Sequence, residues 1–170
     1  MALIDPIIRE LVQEAELTRK VLERIPEDKL SWKPHPSSFS IGQLAWHVAT
    51  LPAFIANTLP NEGLDVGSTG PPNPPAAKSL AELLSALTKN VELASKVLST
   101  LDDQKITAPW KLTRGGEVLL TLPRIAVART IMLNHIYHHR GQLQVYLRLL
   151  GVKVPSIYGP SADENPFTQA

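Results

Sequence analysis

The chain has 170 residues, no cysteine, and 17 lysine plus arginine residues against 16 acidic ones. That length holds one domain with a sizeable core, expected over residues 1–170, and the missing cysteines exclude disulfides, thiolate metal ligands and a cysteine nucleophile. The charges are interspersed, with no basic stripe to follow a nucleic-acid backbone; there is neither a basic leader nor a run of about 18 apolar residues, so no membrane partner is expected and the location expected is cytoplasmic.

Ile4, Ile7, Ile8, Leu11, Ala15, Leu22 and Ile25 recur at helical spacing, with Asp5-Pro6 as a start signal and Pro26 as a stop, which predicts a first helix. Residues 26–39 carry Pro26, Pro34 and Pro36 and read as a connector whose Trp32 and Phe39 can still pack on the core. Ser40-Ile-Gly-Gln43 has the capping-box form and opens a second helix over about 41–58, with Leu44, Val48, Leu51 and Ile55 on its apolar face. Pro52 lies inside it and is expected to bend it one turn beyond His47.

Residues 60–78 hold five prolines and three glycines, a composition expected to form no regular structure and to serve as a long surface crossover. A second capping box, Ser79-Leu-Ala-Glu82, starts a third helix with Leu80, Leu83, Leu84, Leu87, Val91, Ala94 and Leu98 at helical spacing. Over 106–120, Thr113-Arg-Gly-Gly is a turn composition that either joins two short strands or forms an irregular loop. The fourth helix is expected to start with Thr121 as N-cap and Pro123 in its first turn, and to end at Leu150 before Gly151. Each apolar stripe must be buried against another helix, so the predicted class is all-α, a four-helix bundle in which the crossover lets the second and third helices run parallel.

Three of the five histidines fall in His135-Ile-Tyr-His-His139. Histidine is the commonest metal ligand, and side chains four apart on a helix lie one above the other, so His135 and His139 can share a cation; His135 and His138, three apart, can do the same. Random placement of five histidines gives an i,i+4 pair about one time in ten. His47 sits near the buried face of the second helix, and although a lone histidine there is more often a hydrogen-bonded core residue, a pair on one helix plus one on a facing helix is the minimum for a three-nitrogen site. His35 lies in a proline-flanked loop, and Asp163 and Glu164 read as solvated tail charges, with a carboxylate ligand as their second role. Trp46, Tyr158 and the 60–78 crossover are candidates to line a cleft above the metal. Gln142 can hydrogen-bond a ligand or substrate, whereas Arg140 points about 100° away from His139 and suits a salt bridge or dimer contact.

The run Ile41-Gly-Gln-Leu-Ala-Trp-His47, the segment His135-Ile-Tyr-His-His139-Arg-Gly-Gln142-Leu, and Tyr146-Leu-Arg-Leu-Leu-Gly151, Val154-Pro155, Tyr158-Gly159 and Ser161-Ala-Asp-Glu164 together resemble the DinB-like superfamily over nearly the whole chain. The resemblance implies a four-helix bundle with an up-up-down-down crossover, frequent homodimers, and a divalent metal, zinc or nickel, held by His47, His135 and His139; it selects His139 over His138. It further implies a metal-dependent transferase acting on a small-molecule substrate through a low-molecular-weight thiol, with a metal-dependent hydrolase or a non-enzymatic metal-binding stress-response module as alternatives.

Overall fold

The computed structural model describes residues 2–67 and 73–168. Helix α1, Asp5–Leu22, buries Ile7, Leu11, Thr18, Val21 and Leu22 along one stripe. After a 3₁₀ turn at Glu27–Lys29, α2 (Ile41–Thr58) opens on a complete capping box: Ser40 Oγ accepts from the Gln43 amide at 3.1 Å, and Gln43 Oε1 accepts from the Ser40 amide at 2.9 Å. Gly42 is required here, because its amide donates to the Leu30 carbonyl at 3.0 Å and a Cβ would lie 2.7 Å from that oxygen. The remaining elements are β1 (Gly63–Asp65), α3 (Leu80–Leu98), α4 (Asp103–Thr107), β2 (Pro109–Arg114), β3 (Glu117–Pro123), α5 (Arg124–Val127) and α6 (Asn134–Leu149); a π-helical segment, Ala128–Leu133, joins the last two.

Hydrogen bonds fix the helix directions. Leu3 N donates to Asp103 Oδ1, Arg19 to Thr88 Oγ1 and Leu80 N to Glu27 Oε2, so α1 and α3 run antiparallel. Gln43 Nε2 donates to the Pro74 carbonyl ahead of α3 and Asn90 Nδ2 to the Ala49 carbonyl, so α2 and α3 run parallel, as the crossover allows. Arg124 meets the Leu59 and Asn61 carbonyls beyond the end of α2, while Tyr146 packs on Trp32 ahead of its start, so α6 returns antiparallel to α2. The order is therefore up, down, down, up. It differs from the up-up-down-down order implied by resemblance because the one long crossover joins the second and third helices, and the 23–40 connector reverses the chain. Leu11, Leu22, Leu44, Ile55, Leu83, Leu98, Leu143 and Leu147 form the core between these helices.

The structure corrects the all-α class: the protein is mostly helical with a three-stranded sheet of order β1-β2-β3, β1 parallel and β3 antiparallel to β2. Of the two readings of 106–120 the strands hold, joined by a two-residue turn in which Gly115 and Gly116 both take positive φ, 56° and 87°, as a hairpin with the right twist needs. The 60–78 stretch is not wholly irregular, since Gly63–Asp65 finds a partner in the backbone of Lys111–Thr113; its residues 68–72 lie outside the described residues. Asp65 then latches the hairpin turn, accepting from Gly67 N, Gly116 N, Thr113 Oγ1 and Gly115 N, and these donors pull its carboxyl down to about 2. Thr121 and Pro123 belong to β3 and not to the last helix, because pairing with β2 continues to Pro109↔Pro123 and helical geometry begins only at Arg124. Among the described residues no helix is long and apolar enough to cross a membrane.

Candidate metal centre

Antiparallel α2 and α6 bring His47 against His135 and His139. One ligand atom from each of the three lies within 4.8 Å of the others, and the ring centroids are 4.6–5.1 Å apart. His47 Nε2 is 3.4 Å from His135 Nε2. Two nitrogens bound at about 2.0–2.1 Å with a tetrahedral angle between them are about 3.3–3.4 Å apart, so this separation fits the edge of a zinc coordination tetrahedron.

The rings are oriented from behind. His139 Nδ1 is 2.7 Å from Gln142 Oε1, an acceptor only, so Nδ1 carries the proton and Nε2 keeps its lone pair. His135 hydrogen-bonds the backbone of Ile131 inside the π-helical segment, which leaves its Nε2 facing His47. Burial favours the neutral rings, and their mutual crowding adds to it. His47 is pushed down to about 4 by burial, then by His139 and His135; His135 is lowered by burial and His139, and His139 by burial and His138, against the raising effect of the Gln142 bond. Three unprotonated imidazoles at neutral pH are what a divalent ion needs.

Among the described residues the cluster holds no carboxylate. Asp163 instead accepts from Arg148 and the Val154 amide, and Glu164 from Arg24 and the Ser156 amide, which fastens the C-terminal segment and leaves neither for a metal. His138 is exposed, its ring 4.8 Å from that of His139, and His35 is exposed in its loop. Phe39 packs 6.5 Å from the His47 ring. Of the residues expected to line a cleft, Trp46 lies on the α3 side of α2, in a groove of about 360 Å³ shared with Ala86 and Asn90. Tyr158 is on the α1 side of α6, bonded to Glu14 and Arg140, so it does not line the triad; that direction is set by the fold of the C-terminal segment. The crossover does approach the site: Gln43, one turn before His47, donates to Asn73 Oδ1 at 3.0 Å and to the Pro74 carbonyl at 3.1 Å. Arg140 makes the buried salt bridge open to it in sequence, with Glu14 at 2.7 Å. The Ile131 backbone contact has no sequence signal, because nothing in Ala128–Leu133 marks a π-helical turn.

A mostly helical protein with three histidines converging from two antiparallel helices is the class that fold and site define. Residues 4–166 match the DinB family, and the chain belongs to it. It is 26% identical over 168 residues to the uncharacterized protein YrdA of Bacillus subtilis (strain 168), covering 95% of this chain and 91% of that one. To the uncharacterized protein YjoA of the same organism it is 24% identical over 151 residues, covering 85% and 89%. Two crystal structures share the fold: a DinB-like protein from Bacillus cereus ATCC 10987, with TM-score 0.70, 24% identity and coverage of 91% of this chain and 97% of that one, and the DinB-like YjoA, with TM-score 0.66, 20% identity and coverage of 90% and 98%.

Proposed function

We propose that the chain is a metal-dependent enzyme that holds zinc or nickel on His47, His135 and His139 and activates a low-molecular-weight thiol for transfer to an electrophilic small molecule. The observation that carries this reading is the donor set: three neutral nitrogens at a spacing that suits one ion, with no carboxylate among them. Three protein ligands leave a coordination position open, as catalytic zinc sites do and closed structural sites do not. A bound divalent ion supplies Lewis acidity at that position, where a thiol loses its proton at neutral pH. Because the three imidazoles leave the ion's double charge uncompensated in a half-buried site, an anionic sulfur or oxygen donor suits the open position better than a neutral one. His47, His135 and His139 bind, Gln142 holds the tautomer of His139, and the Ile131 carbonyl aims His135.

The test is consumption of small thiols in the presence of electrophiles by zinc- or nickel-loaded protein, compared with the His135→Ala variant. Metal-dependent turnover lost in the variant supports the transferase. Turnover of esters, amides or lactones without thiol indicates the hydrolase instead, and metal binding with no turnover of either kind indicates the non-enzymatic module.

A further inference from the structure

On the side of α6 facing α1, Arg140 follows His139 in sequence and is only 2% exposed. Its guanidinium pairs with Glu14 at 2.7 Å and donates to the Glu14 carbonyl at 3.2 Å, to Thr18 Oγ1 at 3.3 Å and to the Tyr158 hydroxyl. Two aromatic rings, packed edge to face on each other with centroids 6.4 Å apart, lie against it, 5.4 Å away for Tyr137 and 5.2 Å for Tyr158. The Tyr158 hydroxyl closes the ring of contacts by donating to Glu14 Oε2 at 2.7 Å, and alongside, Glu10 accepts from both Tyr137 and Arg129. The cluster ties α6 to α1 and to the C-terminal segment.

A site built from two helices depends on how each is rotated about its own axis. An atom about 5–6 Å from a helix axis moves about 1 Å for each 10° of rotation, whereas metal–ligand distances tolerate only about 0.2 Å. Apolar packing is non-directional and holds rotation loosely; a planar guanidinium bonded to a carboxylate, a carbonyl and two hydroxyls, with two rings packed beside it, holds it tightly. The π-helical segment makes the second contact of this set possible. Eight residues of regular α-helix turn by about 800°, which would leave Arg129 and Tyr137 about 80° apart. Ala128–Leu133 takes up about one extra residue, which brings both side chains onto Glu10.

We propose that the buried Arg140–Glu14 pair, with Tyr137 and Tyr158 packed beside it, is the positioning element of the metal site, fixing the rotation of α6 so that His135 and His139 meet His47. This rests on the reading of the triad as a metal site. The test uses the full chain, zinc affinity by competition with a chromophoric chelator, the visible bands of bound cobalt(II) as a report on ligand geometry, and thermal unfolding of the metal-free protein. Arg140→Met leaves Glu14 buried without its partner, so both stability and zinc affinity fall. Glu14→Met with Arg140→Met removes both buried charges, an exchange that commonly restores stability; zinc affinity is then expected to stay about 10–100-fold below wild type, with shifted cobalt bands. Wild-type zinc affinity and cobalt bands in the folded double variant overturn the positioning role. Should the double variant not fold, Tyr158→Phe removes only the part-buried hydroxyl that bridges the pair; a several-fold loss of zinc affinity supports the proposal and an unchanged affinity overturns it. Absence of zinc binding by the wild type overturns the metal-site reading and this inference with it, an outcome distinct from every variant result.

Discussion

Arg124 is a buried cation that donates to three backbone carbonyls, and its replacement by methionine tests how the last helix is anchored. Its Nε donates to Leu59 O at 2.9 Å, Nη2 to Asn61 O at 2.8 Å and Nη1 to Pro109 O at 3.0 Å, so one side chain ties the end of α2, the start of β2 and the head of α5. The position suits a cation, since carbonyls at a helix C-terminus carry partial negative charge. In Arg124→Met the Leu59 carbonyl is left buried without a donor, at about 1–3 kcal/mol, whereas water reaches the Asn61 and Pro109 carbonyls, whose loss costs about 0.5–1.5 kcal/mol each. Relief of the buried guanidinium and the packing of methionine offset part of this. The net expectation is a loss of about 2–4 kcal/mol, a large share of the about 5–15 kcal/mol that holds a domain folded. Urea unfolding reads it as a midpoint lowered by about 1–2 M with the slope unchanged. Arg124→Lys, with one compact ammonium in place of the fork, should recover less than half of the loss. A change below about 0.5 kcal/mol in the methionine variant, the range of ordinary surface substitutions, would refute the reasoning.

Gly42→Ala sets two effects against each other: alanine favours the helix by up to about 1 kcal/mol, but its Cβ meets the Leu30 backbone oxygen at 2.7 Å. The clash is with backbone and should win, lowering stability by about 1–3 kcal/mol in thermal unfolding; a stabilised variant would show that the connector yields. The histidines predict the pH response of metal-free protein. Their folded pKa values lie below the ordinary one, so the unfolded chain takes up protons first; stability should be flat above about 6.5 and should fall as pH drops toward about 4, the value for His47. Calorimetry showing stability unchanged or rising as the pH is lowered over that interval would contradict the burial argument. Gln142→Leu removes the acceptor that holds His139 and should weaken zinc binding about 10–100-fold while changing stability by less than about 0.5 kcal/mol, because the residue is exposed. Equal zinc affinity by chelator competition would show that the tautomer is set otherwise.

Much of this structure was legible locally. Ser40 and Gln43 signal the start of α2 because both halves of the capping box are side chain to backbone bonds three residues apart; in α3, Ser79 caps Glu82 N as expected, but the Glu82 carboxylate turns to Lys78 N. The i,i+4 spacing of His135 and His139 needs only a helix. His47 needs the partner helix, and only its place near the buried face of α2 marks it as the third candidate, while the family resemblance and not the spacing selects His139 over His138. What stayed hidden depends on distant partners: Gly63–Asp65 becomes a strand only because Lys111–Thr113 presents an edge, and Thr121–Pro123 joins β3 because β2 extends to Pro109. Tyr158, a candidate for the cleft above the metal, packs on the α1 side of α6 instead, since its position is set by the loop that Ser161, Asp163 and Glu164 tie together and not by any spacing. Helix geometry alone turns Arg140 about 100° away from His139, but that Glu14 of α1 waits there is set by the packing of the helices.

Metal analysis of the purified chain beside single alanine variants reads out whether His47, His135 and His139 together hold one divalent ion. The expected result is stoichiometric zinc or nickel in the wild type, loss of the metal in His47→Ala, His135→Ala and His139→Ala, and retention in His138→Ala. A wild-type protein that takes up neither metal, or a His139→Ala variant that keeps its metal while His138→Ala loses it, would contradict the account.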